Sequence, residues 1–160
     1  MRILRQALMV LIVLVAVAAP ARADATLFLG TNTTPDGRLT RGGAIGAGLL
    51  VVGFEFEYST TVEEVATASP SLKIGSANGI LQTPIPVFGM QFYVTAGGGI
   101  YRERLGSATE TGFAPNVGGG VKWKLAGPLR LRLDYRTFKL GRGALYSPSH
   151  RLYAGLNLKF

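Results

Sequence analysis

The amino-acid sequence predicts an all-β protein: an eight-stranded antiparallel up-and-down β-barrel that crosses a membrane, preceded by a cleavable signal peptide. Three observations predict this fold. Apolar and polar residues alternate with a period of two along much of the chain. The connections between the alternating segments are long and short in turn, and the chain begins with the pattern of an export signal. We therefore divide the 160 residues into a signal peptide at 1–23 and one barrel domain at 24–160.

The first 23 residues contain the parts of a secretory signal. Arg2 and Arg5 are basic, residues 7–19 are an unbroken apolar run, and Ala21-Arg22-Ala23 places small residues at the two positions that a signal peptidase reads. The apolar run is shorter than the roughly 17–25 residues that a membrane-spanning helix needs. We expect cleavage before Asp24 and export by the general secretory route.

The composition excludes several classes of site. The sequence contains no cysteine, which excludes a cysteine-linked lipid anchor, a disulfide, a thiolate nucleophile and a cysteine metal site. We expect neither a cofactor nor a bound metal. The chain has a formal net charge of +8, but its charges are spread singly through apolar segments and form no basic run. This distribution argues against nucleic-acid binding.

Period-two alternation is clearest in four segments. In 129–138 the odd positions are mostly apolar and the even positions are charged, until Phe138 breaks the pattern. The segments 52–59, 90–101 and 151–160 alternate in the same way. Because successive side chains of a strand point to opposite faces, each segment predicts a strand with one apolar and one polar face.

The spacing of the strands predicts a membrane barrel rather than a soluble sandwich. Long connections are expected at 33–41, 61–71, 104–112 and 139–149, and short ones near Val51, at 84–88 and at 126–128. Short turns on one side and long loops on the other are typical of outer-membrane barrels, and their even strand number places both termini in the periplasm. The second and fourth strands alternate poorly. The predicted strands are 25–32, 42–50, 52–60, 72–83, 89–103, 113–125, 129–138 and 150–160.

The carboxyl terminus resembles the signal that the barrel-assembly machinery recognises. It has Tyr153, then Gly155 two residues later, the apolar Leu158 and the terminal aromatic Phe160. With this ending, residues 24–160 resemble the small outer-membrane barrel superfamily of OmpX-type and OmpA-type domains. The resemblance implies an outer-membrane location, contact with membrane lipid and lipopolysaccharide, and the barrel-assembly machinery as a partner during biogenesis. We expect a monomer, and the fold leaves the activity open.

Two glycine runs, 97–99 and 118–120, lie inside predicted strands rather than before a helix, so they do not predict a phosphate-binding loop. A symmetric loop between residues 103 and 113 would place the two runs side by side. Because glycine in a strand marks close approach or a bend, we expect a wall without side chains that leaves room for long interior residues.

Strand parity predicts a charged barrel interior. An eight-stranded barrel is just wide enough to be filled by side chains, and buried ions must be paired. We therefore expect a polar plug rather than an open conduit. The predicted interior residues are Glu55, Glu57, Glu103, Lys122, Lys124, Arg130, Arg132, Asp134, Arg136 and Arg151.

Four basic residues are predicted to face outward at the upper ends of their strands: Arg41, Arg102, Arg104 and Lys139. A cation in the middle of the hydrocarbon costs roughly 2–4 kcal/mol, and this cost falls toward zero at the interface. We therefore expect these side chains at headgroup level, where they bind lipopolysaccharide phosphate. The alternative is that they extend to the interface without a specific ligand.

The one histidine, His150, follows Ser149 at the start of the last predicted strand. In the lipid A deacylase family a histidine precedes a serine by two residues on one strand face, whereas Arg151-Leu152 follows His150 here. We therefore expect no enzymatic activity. The leading interpretation is a structural or surface-interaction barrel, and the alternatives are a narrow channel for small solutes of the OmpW type and a lipid-modifying enzyme.

Overall fold

The computed structural model describes residues 22–160. These residues form eight antiparallel strands that close into one barrel in sequence order, with β1 paired to β8. The predicted eight-stranded up-and-down barrel is confirmed. The strands are β1 (Arg22–Asn32), β2 (Arg38–Leu49), β3 (Val52–Thr61), β4 (Ser71–Gln82), β5 (Met90–Leu105), β6 (Ala108–Ala126), β7 (Leu129–Phe138) and β8 (Ser149–Lys159).

Most of the predicted signal peptide, residues 1–21, lies outside the described residues. Arg22 and Ala23 begin β1. The backbone of Ala23 exchanges two hydrogen bonds of 2.9 Å with that of Phe160, which brings the start of β1 beside the carboxyl terminus. The predicted cleavage before Asp24 stays a prediction.

The two ends of the barrel differ in their connections. The short-turn end carries the turns at 50–51, 83–89 and 127–128 together with both ends of the described chain, whereas the long-loop end carries 33–37, 62–70 and 139–148 and the two-residue turn at 106–107. A single 3-10 turn lies in the second long loop. Within residues 22–160, no helix is long and apolar enough to cross a membrane.

The long loop predicted at 104–112 is wrong. Strands β5 and β6 continue through this segment, pair as far as Leu105 and Ala108, and are joined by a turn of two residues, Gly106 and Ser107. Gly106 has a φ of +59°, a conformation that glycine adopts without steric penalty and that tight hairpins require. The pairing of β6 with β7 ends at Asn116, so the hairpin extends beyond its neighbour.

This turn also corrects the prediction that the two glycine runs lie side by side. The observed register pairs Gly98 with Pro115 and Gly119 with Val94, so each run has side chains on the opposite strand. The glycines still make room for interior groups. A Cβ atom on Gly120 would lie 2.6 Å from the hydroxyl oxygen of Tyr93, which is closer than the two atoms can approach.

The outer surface of the barrel is apolar. Leu27, Ile45, Val94 and Val117 each have more than half of their surface exposed, at 75%, 64%, 58% and 61%. The interior, in contrast, holds charged and polar side chains. This reversal of the usual distribution in soluble proteins is the pattern of a membrane-spanning barrel.

Aromatic side chains border the apolar surface at both ends. Phe92 and Trp123 face outward near the short-turn end, and Tyr58 and Tyr135 face outward nearer the long-loop end. Aromatic rings of this kind lie at the two membrane–water interfaces of known barrels. Their positions therefore mark the height of the apolar band.

Candidate functional site

Charged residues inside the barrel form two groups of ion pairs, joined by hydrogen bonds through Asn157 and Thr26, and we call the two groups together the ionic layer. Its central members, Glu55, Arg132 and Arg136, have no solvent exposure. Burial of ions is tolerated only where they are paired and hydrogen-bonded, and each member has at least one partner of opposite charge. The ionic layer consists of Asp24, Glu55, Glu57, Lys122, Arg130, Arg132, Asp134, Arg136 and Arg151.

Two arginines of β7 cross the lumen to glutamates of β3. Arg132 pairs through both terminal nitrogens with Glu55, with Nη2 lying 3.2 Å from Oε1. Arg136 lies 3.3 Å from a carboxylate oxygen of Glu55 and 3.3 Å from one of Glu57. Because β3 and β7 are four strands apart in a closed ring of eight, they lie on opposite walls. These side chains therefore obstruct the full width of the lumen.

Tyr93 joins the ionic layer from a third wall. Its hydroxyl donates to Oδ2 of Asp134 at 2.5 Å and accepts from Nε of Arg132 at 2.7 Å. The same Asp134 oxygen lies 3.1 Å from Nη2 of Arg136. Asp134 thus receives a hydrogen bond from a neutral donor in addition to its two cations, which satisfies a buried charge more fully than ion pairing alone.

Arg151 completes the layer toward the long-loop end. It donates to Glu57 Oε1 at 2.5 Å and to Ser59 Oγ at 2.8 Å. Its guanidinium carbon also lies 5.1 Å from the ring centre of Phe28 and 4.9 Å from that of Phe138, within the range of cation–π attraction. The cation is therefore held between a carboxylate and two aromatic faces.

At the short-turn end the layer includes Asp24, which was not among the predicted interior residues. Oδ2 of Asp24 lies 2.6 Å from Nζ of Lys122 and 3.0 Å from Nη2 of Arg130. A cavity of about 170 Å³ lies beside these groups. Asp24 was missed because the predicted first strand began at residue 25, although inward even positions in β1 would have included it.

Two predicted interior residues lie outside the ionic layer. Glu103 is inward and buried, but it accepts a hydrogen bond of 2.9 Å from the backbone nitrogen of Leu145. Lys124 pairs directly with the inward Arg130, so it lies on the inner face of β6, but at the open end of the barrel it is exposed. The pairing of β6 with β7 shifts between Lys124 and Ala126, and this irregularity at the end of the strand ends the regular alternation.

Toward the long-loop end the lumen is filled by apolar side chains, which we call the apolar plug. Tyr101 and Phe138 have 0% and 1% of their surface exposed, and Leu140 enters the plug from the last long loop. The interior was predicted to be polar throughout, and this part of it is not. The apolar plug consists of Leu72, Ile74, Tyr101, Ala114, Phe138 and Leu140.

Outside the barrel, three exposed cations lie in one register across four strands. Arg41 of β2 pairs with Thr60 of β3, Thr60 with Lys73 of β4, and Lys73 with Arg102 of β5. All three cations face away from the lumen. We call Arg41, Lys73 and Arg102 the cation row. Lys73 was not predicted to face outward because β4 alternates poorly.

The other two predicted rim cations are placed differently. Arg104 is exposed and lies 3.7 Å from a carboxylate oxygen of Glu63. Lys139 is exposed and follows β7, where its backbone nitrogen donates to the carbonyl of Pro115 at 2.9 Å. Arg41 and Arg102 are thus brought into one row, whereas Arg104 and Lys139 lie outside it.

His150 faces outward at the long-loop end of β8. Its Nδ1 lies 2.8 Å from the hydroxyl of Tyr135 and 3.1 Å from that of Thr137. Ser149 points inward and accepts a hydrogen bond of 2.8 Å from the amide of Asn32. The hydroxyl groups beside His150 therefore belong to tyrosine and threonine.

The residues of the predicted assembly signal divide between the two faces of β8. Tyr153 points inward and stacks on Phe28 with ring centres 4.0 Å apart, and Gly155 also faces inward. Leu158 and Phe160 are exposed, at 46% and 71%. The last two apolar side chains are thus accessible from outside the barrel.

Neither a protein-family model nor a curated protein matches this sequence. Solved structures do match its fold. The N-terminal β-barrel domain of Pseudomonas aeruginosa OprF has a TM-score of 0.68 at 17% identity, over 87% of this chain and 97% of that one. Neisserial surface protein A has a TM-score of 0.65 at 19% identity, over 88% of this chain and 96% of that one.

A third structural match corrects the expectation that the chain is not an enzyme. The outer membrane enzyme PagL has a TM-score of 0.52 at 13% identity, over 86% of this chain and 98% of that one. A barrel of this shape thus occurs in an enzyme, and the missing histidine–serine motif does not exclude catalysis by other residues. Taken together, the closed ring of strands and these matches show that the chain has the fold of the small eight-stranded outer-membrane barrels.

Proposed function

We propose that this protein is an integral outer-membrane barrel with a sealed lumen, acting in a structural or surface-interaction role. The single observation that carries this proposal is the double closure of the lumen. The ionic layer crosses the barrel between opposite walls, and the apolar plug fills the long-loop end above it. A barrel closed in this way offers its outer surface and its loops, rather than a pore, for function.

The apolar band on the outer surface has the height that is typical of outer-membrane barrels. Along β5, Phe92 and Arg102 are ten positions apart and both face outward. With a rise of about 3.3 Å per residue and a tilt of about 40°, this separation is about 25 Å along the barrel axis. That is the height of the apolar band in outer-membrane barrels. The aromatic residue then lies at one interface and the arginine at the other.

The proposed orientation places the short-turn end in the periplasm and the long-loop end at the cell surface. Short periplasmic turns and longer outer loops are the rule for these barrels. Export by residues 1–23 and insertion by the barrel-assembly machinery through the carboxyl-terminal signal follow from the same proposal. In this orientation the four outward cations Arg41, Arg102, Arg104 and Lys139 lie near the outer-leaflet headgroups, and we infer that lipopolysaccharide binds at this rim.

A liposome-swelling assay tests the sealed lumen against the narrow-channel alternative. Proteoliposomes that contain the purified protein are diluted into isotonic arabinose and, separately, into isotonic glycine, and their swelling rate is compared with that of protein-free liposomes. We expect equal rates because neither solute can pass both closures. Swelling that increases with the amount of protein would favour a channel.

A second candidate function is ester hydrolysis at the outer rim, and one observation favours it. Oγ1 of Thr137 lies 3.1 Å from Nδ1 of His150, so a hydroxyl nucleophile has a base within hydrogen-bond reach on the outward face. Fatty-acid release from lipid A or phospholipid by the purified protein tests it. Release that is lost in both T137V and H150A would establish this function, and release at the protein-free rate would exclude it.

A further inference from the structure

The cation row is ordered by strand pairing rather than by sequence. Arg41, Lys73 and Arg102 come from three different strands, yet direct pairing through Thr60 aligns them in one row perpendicular to the strands. Neighbouring strands are about 4.8 Å apart. The side chains of Lys73 and Arg102 can therefore reach one anion together. Arg41 lies two strands from Lys73, so the backbones of these two residues are about 10 Å apart.

The row carries positive charge without an acidic partner. Among the ion pairs within residues 22–160, none involves Arg41, Lys73 or Arg102, whereas nearby Arg104 has Glu63. Three uncompensated cations in one row repel each other across a low-dielectric surface. A ligand with negative charge at matching positions relieves this repulsion.

The surface directly below the row suits hydrocarbon. Two residues from Lys73 toward the membrane centre, Gly75 faces outward, and a Cβ atom there would meet nothing within 4 Å. Tyr58 and Ile100 are its paired neighbours on the adjacent strands, and both are more than half exposed. An acyl chain can lie over Gly75 between these two side chains while its headgroup stays at the level of the row.

We propose that the cation row is a binding site for one outer-leaflet glycolipid that carries two phosphates, as the lipid A part of lipopolysaccharide does. Lys73 and Arg102 hold one phosphate, and Arg41 holds the second at the other end of the sugar headgroup. Arginine offers paired donors that match phosphate oxygens, and Thr60 adds a hydroxyl between the two positions. The inference rests on the proposed membrane placement and narrows the lipopolysaccharide contact to a defined site.

Charge-matched variants distinguish this site from general attraction to a basic rim. K73Q/R102Q removes two charges from the row, and R104Q/K139Q removes two charges outside it. Binding of bisphosphorylated lipid A to the folded protein in detergent is measured by native mass spectrometry. We expect K73Q/R102Q to weaken binding by about tenfold or more, and R104Q/K139Q by less than about twofold.

A single variant tests the second phosphate position. The wild-type protein should bind bisphosphorylated lipid A more tightly than the monophosphorylated form, because only the former engages Arg41. In R41Q this preference should disappear, with the two lipids bound equally. Retention of the preference in R41Q would overturn the assignment of the second phosphate.

Two further outcomes would overturn the site itself. Equal weakening by both double variants would mean diffuse attraction to the rim, and equally tight binding of phosphatidylglycerol would mean that any anionic lipid suffices. Each variant is first checked for the gel-mobility shift on heating that reports a folded barrel. Swelling of proteoliposomes tests the sealed lumen independently. A negative result for the lipid site therefore does not contradict the proposed sealed barrel.

Discussion

Arg132 and Glu55 form an ion pair across the full width of the barrel, although 77 positions separate them in the sequence. Both side chains are fully buried. Removal of the arginine would leave Glu55 with one other cation, Arg136, at 3.3 Å. The stability of the barrel should therefore depend strongly on this pair.

The variant R132A should destabilise the folded barrel by about 3–5 kcal/mol, because it leaves buried carboxylates undercompensated. Urea unfolding in lipid vesicles, followed by tryptophan fluorescence of Trp123, measures this change. K124A removes a basic side chain from the same barrel at an exposed position. It should alter the free energy of unfolding by no more than about 0.5 kcal/mol.

A double substitution tests whether the destabilisation comes from the unpaired charge. In E55Q/R132M one buried carboxylate is removed together with its partner, so the loss should be smaller than in R132M, which has the same side chain at position 132 and keeps Glu55 charged. If the double variant is no more stable than R132M, the unpaired charge of Glu55 does not account for the effect.

A methyl group should destabilise the barrel at Gly120 but not at Gly75. In G120A the new Cβ atom would collide with the carbonyl of Leu133 and the hydroxyl of Tyr93, so we expect a loss of about 1–3 kcal/mol. In G75A the Cβ atom meets nothing within 4 Å, so the change should stay within about 0.5 kcal/mol. Equal unfolding midpoints for the two variants would show that the interior has more room than its contacts indicate.

Deletion of Phe160 should impair assembly in cells more than folding in vitro. Its side chain is 71% exposed and contributes little to packing. We expect the truncated chain to be exported but degraded in the periplasm, and to refold normally in detergent. Immunoblots of membrane and periplasmic fractions measure the first effect. F160W, which keeps an aromatic terminus, is the matched control and should insert as the wild type does.

The mature protein should begin at Asp24. This prediction follows from the small residues at 21 and 23 and the apolar run before them. The intact mass of protein extracted from membranes measures the start. Cleavage there removes the strand residues Arg22 and Ala23 and leaves Asp24 to pair with Lys122 and Arg130. A mass that includes residues 1–23 would contradict the export signal.

Strand parity could be predicted where one face carries charge. In β3, β7 and β8 the charged residues alternate with apolar ones, and the inward positions of Glu55, Arg132 and Arg151 follow directly. The parity of β4 could not be predicted, because its two faces both contain small or apolar residues such as Ile74 and Ala77. For this reason Lys73 was not assigned to the outer surface.

Contacts between walls could not be predicted from alternation at all. The side chain of Tyr93 could be placed inside, but its pairing with Asp134 depends on how far neighbouring strands are offset around the ring. A single unexpected feature, the two-residue turn at Gly106 and Ser107, sets the register of β5 with β6. The apolar plug was missed because Leu140 comes from a loop, where period two gives no information.

The two closures of the lumen lie in series, so both must be weakened to open it. R132S shortens a side chain of the ionic layer, and Y101S shortens one of the apolar plug. We expect either single variant to stay closed in a planar bilayer, because the other closure remains. The double variant should conduct. Its conductance would also show that protein prepared in this way inserts across the bilayer.

Conductance of the wild-type protein in a planar lipid bilayer tests the sealed lumen most directly. The cross-barrel pairs of Arg132 and Arg136 and the apolar plug predict a conductance indistinguishable from that of the bare bilayer. Insertion of the same sample is verified by its heat-dependent gel mobility. A large, steady conductance of the wild-type protein would contradict the sealed barrel and favour a channel for small solutes.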